Sequence, residues 1–113
     1  MSKIQTISPI DGTLYYSGEQ HNLNDIEKAL KSARSAFQDW AGLPLAERKK
    51  FVSGLVDAIE KDKNEIALEI TWQMGRPLGQ SPWEINGFVD RARYMIGIAD
   101  EAHPQHPAVG SKF

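Results

Sequence analysis

At 113 residues the chain has the length of one ordinary domain, with room for a single core but not for a cofactor domain and a catalytic domain together. Hydrophobic residues at 41% and charged residues at 25% are usual for a globular protein and argue against general disorder. Thirteen Lys and Arg against fifteen Asp and Glu leave a net charge of −2, so no basic field gathers nucleic acid or anionic lipid, and the absence of cysteine excludes disulfides, thiolate metal sites and any cysteine nucleophile within the chain.

The first expected element is a β-hairpin over about 6–16. Asp11-Gly12 is a hairpin-turn dipeptide between Thr6-Ile7 and the strand formers Thr13, Leu14, Tyr15 and Tyr16, with Pro9 confined to an edge or turn. A lone hairpin is marginal in water, so it is expected to lie against helices or another sheet.

Helices follow over about 25–102. Asn24 is the expected cap of the first, with Glu27 reaching back to complete a capping box. Ile26, Leu30, Ala33, Phe37 and Trp40 recur at three and four, which predicts one buried stripe with Trp40 in the core. Gly42 and Pro44 end that helix, and a second begins near Leu45. Its expected buried face is Phe51, Val52, Leu55, Ala58 and Ile59, with the basic run Arg48-Lys49-Lys50 on a solvated face.

Ile66, Ala67, Ile70 and Met74 carry a third helix to Gly75, where a left-handed residue can close it and Pro77 prevents continuation. Ser81-Pro82-Trp83-Glu84 restarts the chain, with Ser81 as cap, Pro82 at the first helical position and Glu84 completing the box. Ile85, Phe88, Val89, Ala92, Met95, Ile96 and Ala99 mark the buried side of this fourth helix. Trp72 and Trp83 lie off their helices' apolar stripes and flank the Gly-Arg-Pro break, where they either line a second surface or pack on a neighbouring helix. A Pro-rich tail, 103–113, closes the chain.

Chemical motifs are sparse. His103 and His106 could approach one metal across a bent loop, but two ligands do not make a site, and no metal site is expected. No serine sits in a G-x-S-x-G turn, and no glycines form a dinucleotide or Walker loop. The carboxylates Asp57 with Glu60, and Asp100 with Glu101, belong to solvated faces. No run approaches the ~20 apolar residues of a membrane span, and "MSKIQTISPIDG" lacks the apolar core of a signal peptide, so a cytoplasmic location is expected.

Taken in order, these motifs resemble the opening segment of the aldehyde dehydrogenase superfamily. "ISPIDGTLYYSG" is similar to that family's N-terminal hairpin. "DIEKALKSARSAFQDWAGLPLAERKKFVSGLVDAIEKDKNEIALEITWQMGRP" is similar to its next helices, including A-x-x-A-F-x-x-W and P-L-A-E-R, and "GFVDRARYMIGIADEA" to the helix that follows. The resemblance implies a mainly α segment, a short β-hairpin followed by about four helices, that forms the N-terminal part of an α/β fold. It also implies that Trp83, Gly87 and Arg91, one turn apart on the fourth helix, face the tunnel through which the aldehyde enters; ordinary surface is the alternative.

The family's reaction oxidises an aldehyde to a carboxylate. A cysteine attacks the carbonyl, an amide side chain and a backbone N–H hold the oxyanion, hydride passes to NAD or NADP, and a glutamate activates water. None of those positions has a counterpart in these residues. The expectation is therefore an N-terminal fragment of an NAD(P)-dependent aldehyde dehydrogenase, inactive alone, with no catalytic or cofactor-binding residue of its own. Its expected partner is the remainder of that fold, or a second copy, met through apolar surface around Trp72, Met74, Trp83, Phe88 and Met95. The alternative is a stand-alone helical interaction module.

Overall fold

Two antiparallel strands, β1 (Lys3–Ile7) and β2 (Leu14–Glu19), open the computed structural model, which describes residues 3–102. The turn between them forms as its residues dictate. Gly12 takes φ 74°, and the Asp11 carboxylate accepts from both the Thr13 N–H and the Thr13 hydroxyl. The register slips between Thr6, opposite Tyr16, and Ile7, opposite Leu14, so Tyr15 has no residue facing it. The strands extend beyond the expected hairpin at both ends.

Helix α1 (Leu23–Gly42) starts two residues earlier than expected. Asn22, not Asn24, is the cap: its side chain accepts from the Asp25 N–H while the Asp25 carboxylate accepts from the Asn22 N–H, each at 3.1 Å. Both Asn-x-x-acid pairs fit the capping pattern, and the one nearer the end of β2 is used.

The apolar stripe of α1 has the expected spacing and an unexpected environment. No residue of α1 is buried: Phe37 is 66% and Trp40 37% exposed, and Ile26 and Leu30 are also exposed. Trp40 is therefore not core. Its ring meets that of Phe51, tilted at 5.9 Å, at the edge of an open cleft, because α1 stands away from the other helices. The radius of gyration, 19.6 Å, well exceeds the ~13 Å of a compact chain of about this length.

The core is made by α2 (Leu45–Lys61), α3 (Lys63–Met74) and α4 (Ser81–Gly97). Val56, Ala67, Ile85 and Val89 are buried, and Ile59, Ile66, Ile70, Ala92 and Ile96 pack around them. On α2 the expected face is corrected: Phe51, Val52, Leu55 and Ala58 are exposed, while Val56 is 1% exposed. The apolar arc of α2 is broad, and only its Val56–Ile59 edge meets α4; the other edge turns toward α1.

Arg93 on α4 bridges Asp57 (3.1 Å) and Glu60 (2.5 Å) on α2, and Lys49 reaches Asp100 at 2.5 Å on a short further helix, α5 (Ala99–Ala102). Those carboxylates lie on solvated faces, as expected, and there they pair across helices. Phe88 and Met95, assigned to the buried side of the fourth helix, are exposed, and so is Met74 by 74%; all three belong to the apolar surface expected to meet a partner. The tail 103–113, with His103 and His106, lies outside the described residues.

Candidate functional site

The break between α3 and α4 shapes the site. Gly75 closes α3 at φ 75°, and its N–H donates to the Thr71 carbonyl at 2.9 Å. Pro77 then turns the chain, and its carbonyl accepts from the N–H groups of Gln80 and Ser81. Ser81 is not the cap. It is the first helical residue, fully buried, and its hydroxyl meets the Thr71 hydroxyl at 2.7 Å, tying the start of α4 to the end of α3. Glu84 likewise forms no capping box; Arg76 holds it at 2.5 Å across the break. The backbone turn leaves the two side chains of the expected box with better partners.

Behind this clamp α4 presents a groove of about 440 Å³ lined by Glu84, Gly87, Phe88, Arg91 and Ala92. Gly87 and Arg91, two of the three residues that the resemblance singled out, thus line one groove. Trp83 is exposed and does not line the groove. Glu84, Phe88 and Ala92 were not singled out for this surface, although spacings of three and four from Gly87 and Arg91 put them on one side of a helix. A Cβ at Gly87 would meet nothing within 4 Å, so the groove is open there. Among the described residues Arg91 has no hydrogen bond or ion pair, whereas Glu84 is neutralised by Arg76.

A second, apolar cleft of about 610 Å³ runs between α1 and the start of α2, lined by Ala33, Ala36, Phe37, Asp39, Trp40, Leu43 and Phe51. Elsewhere the hairpin is fastened to α3. The Ser8 hydroxyl donates to the Trp72 carbonyl at 2.7 Å, and Tyr15 stacks on the half-buried Trp72 with ring centroids 6.4 Å apart. The Tyr15 hydroxyl donates to Glu69, which raises its pKa above the ordinary tyrosine range.

Among the described residues these surfaces hold no reacting pair: the α4 groove offers one free cation, one paired carboxylate and an aromatic ring. A dinucleotide does not fit the described residues either. The sheet has two antiparallel strands, and its one tight glycine turn leads into a strand rather than a helix N-terminus. Among the described residues no group of three or more His, Cys, Asp or Glu could hold a metal, and no helix is long and apolar enough to cross a membrane.

Comparison with known proteins places this fold. Residues 1–112 match the model of the aldehyde dehydrogenase family. The mitochondrial benzaldehyde dehydrogenase of Antirrhinum majus is 34% identical over 101 residues, covering 87% of this chain and 19% of that protein. The N-succinylglutamate 5-semialdehyde dehydrogenase of Escherichia coli is 29% identical over 89 residues, covering 79% and 18%. Among solved structures, PnpE in complex with nicotinamide adenine dinucleotide superposes with a TM-score of 0.81 at 30% identity, over 88% of this chain and 21% of that one. Gox0499 does so with a TM-score of 0.83 at 26% identity, over 89% and 22%. The chain spans about a fifth of the length of these relatives, and it matches their N-terminal part. By sequence and by fold, the chain belongs to the aldehyde dehydrogenase family.

Proposed function

We propose that this chain acts as the N-terminal segment of an NAD(P)-dependent aldehyde dehydrogenase and has no oxidoreductase activity by itself. The observation that carries the reading is the apolar side of α1. Ile26, Leu30, Phe37 and Trp40 keep helical spacing over about four turns, yet all four are exposed, although the ring of Phe51 lies against Trp40. A stripe of that length is the mark of a helix that packs on something. The remainder of a dehydrogenase fold is the partner this reading assigns, with a second copy of the chain as substitute when that remainder is absent.

In the assembled enzyme NAD or NADP would be held by other residues, and Gly87 and Arg91 would form part of the wall past which the aldehyde travels, with Trp83 at its outer edge. The reading carries a cytoplasmic location with it, testable by fractionating cells that make a tagged chain.

The activity test uses the purified chain, NAD+ or NADP+ and a panel of aliphatic and aromatic aldehydes. No reduced cofactor is expected, since the chain has no thiol nucleophile. A rate that rises with protein concentration overturns the proposal.

A second reading, a stand-alone helical interaction module, is favoured by one observation. The core of Val56, Ala67, Ile85 and Val89 is closed by α2, α3 and α4 alone. Reading the gene past the codon for Phe113 separates the two. A cofactor fold and a nucleophilic cysteine downstream support the first, and unrelated sequence supports the second.

A further inference from the structure

We propose that the α4 groove selects an aldehyde that also bears a carboxylate, and that Arg91 is the residue that recognises it. The inference rests on reading this groove as part of the aldehyde's approach, and it adds a substrate class to that reading.

Three observations converge. First, the charges lining the groove are unequal in their commitments. The Glu84 carboxylate is tied to Arg76 at 2.5 Å, while the Arg91 guanidinium has no hydrogen bond or ion pair among the described residues. The groove therefore presents one uncompensated positive charge.

Second, the surface beside that charge is apolar. Phe88 is exposed, Ala92 lies next to Arg91, and Gly87 leaves open space where a side chain would otherwise stand. Third, the volume, about 440 Å³, is in the range of small-molecule sites.

A guanidinium offers a planar fork that matches a carboxylate with two parallel hydrogen bonds. A neutral aldehyde of the same length offers Arg91 at most one uncharged acceptor in place of two charged oxygens, so it returns less for the same desolvation. The remaining negative group, Glu84, stands seven residues earlier on α4, about 10 Å away along the axis. With Glu84 neutralised by Arg76, a carboxylate is drawn to the Arg91 end, and that single attraction orients the ligand.

The test is a titration of the isotope-labelled 113-residue chain with hexanoate and with hexanamide, two probes of equal length that differ in charge. It is followed by NMR at the amides of Gly87 and Phe88 and at the Arg91 Nε–H. We expect hexanoate to bind about two- to fivefold more tightly, the ratio that an exposed ion pair supports. That preference should vanish in Arg91→Gln and persist in Arg91→Lys.

Equal binding of both probes at these amides overturns carboxylate recognition while leaving a groove that takes small molecules. Shifts from neither probe, or shifts confined to the α1 cleft, overturn the inference together with the groove reading on which it stands. A preference for hexanoate that survives in Arg91→Gln assigns the recognition to another residue and overturns the role given to Arg91.

Discussion

The Ser8 hydroxyl donates to the carbonyl oxygen of Trp72 at 2.7 Å, joining residues 64 positions apart. Ser8 is fully buried. Its own carbonyl accepts from Gly12 and its N–H donates to Thr13, so one residue shapes the turn and fastens it to α3. Removing the hydroxyl leaves the Trp72 carbonyl without this donor. Ser8→Ala is expected to lower stability by about 1 kcal/mol, seen as an earlier urea midpoint with an unchanged slope.

Two glycines separate backbone strain from crowding. Gly12 and Gly75 both have φ near +75°, but a Cβ at Gly75 would lie 3.0 Å from Pro9 Cγ, whereas one at Gly12 would meet nothing. Alanine at either position carries the left-handed cost of roughly 1–2 kcal/mol. Gly75→Ala should cost more than Gly12→Ala in matched urea melts, and the excess should shrink when Pro9→Ala is added.

Two groups give the hairpin opposite pH limits. Tyr15 has a raised pKa because its neutral hydroxyl donates to Glu69, so this contact is complete below the ordinary tyrosine range near ~10 and is lost as pH rises through the raised value. Asp11 has a lowered pKa because the Thr13 N–H donates to its carboxylate. That contribution is complete above the ordinary aspartate range near ~3.9 and is lost as pH falls through the lowered value. Hydrogen exchange of the β2 amides should rise at both extremes, and Tyr15→Phe should abolish only the alkaline step.

The stop at Gly75 was legible because its cause is local: a glycine that can turn left-handed, then a proline two residues on. The period of α1 was legible for the same reason. The exposure of that stripe was not, because periodicity records which side of a helix is apolar and says nothing of what covers it. Val56 was missed since α2 is apolar over a wide arc, and only the position of α4 decides which edge is buried. On the candidate site, Gly87 and Arg91 share one side of α4 because residues four apart on a helix do. The pairing of Arg76 with Glu84, which sets the charge of the groove, needed the path of the chain through Pro77, and the local pattern pointed instead to a capping box.

Apolar side chains left in water should draw chains together. Each large side chain buried contributes ~1.5–3 kcal/mol, so pairing Leu30, Phe37 and Trp40 with a second copy is favourable. The chain should elute as a dimer or larger species and bind a hydrophobic dye. The double variant Leu30→Glu with Phe37→Glu should elute as a monomer with little dye bound, and its core of α2, α3 and α4 should keep its melting behaviour. Equal elution volumes for the two proteins would exclude α1 as the associating surface.

The Ser8–Trp72 fastening also changes what kind of element α1 is. The hairpin before it is held on α3, and α2 after it is packed on α4, so the stretch between Glu19 and Leu45 leaves the core and returns to it with both ends fixed. Such an excursion is a closed loop, and closure entropy changes only slowly with loop length. A protease cut within α1 should therefore leave the severed hairpin seated on α3, and the nicked protein should migrate as one particle until denaturant parts the two pieces.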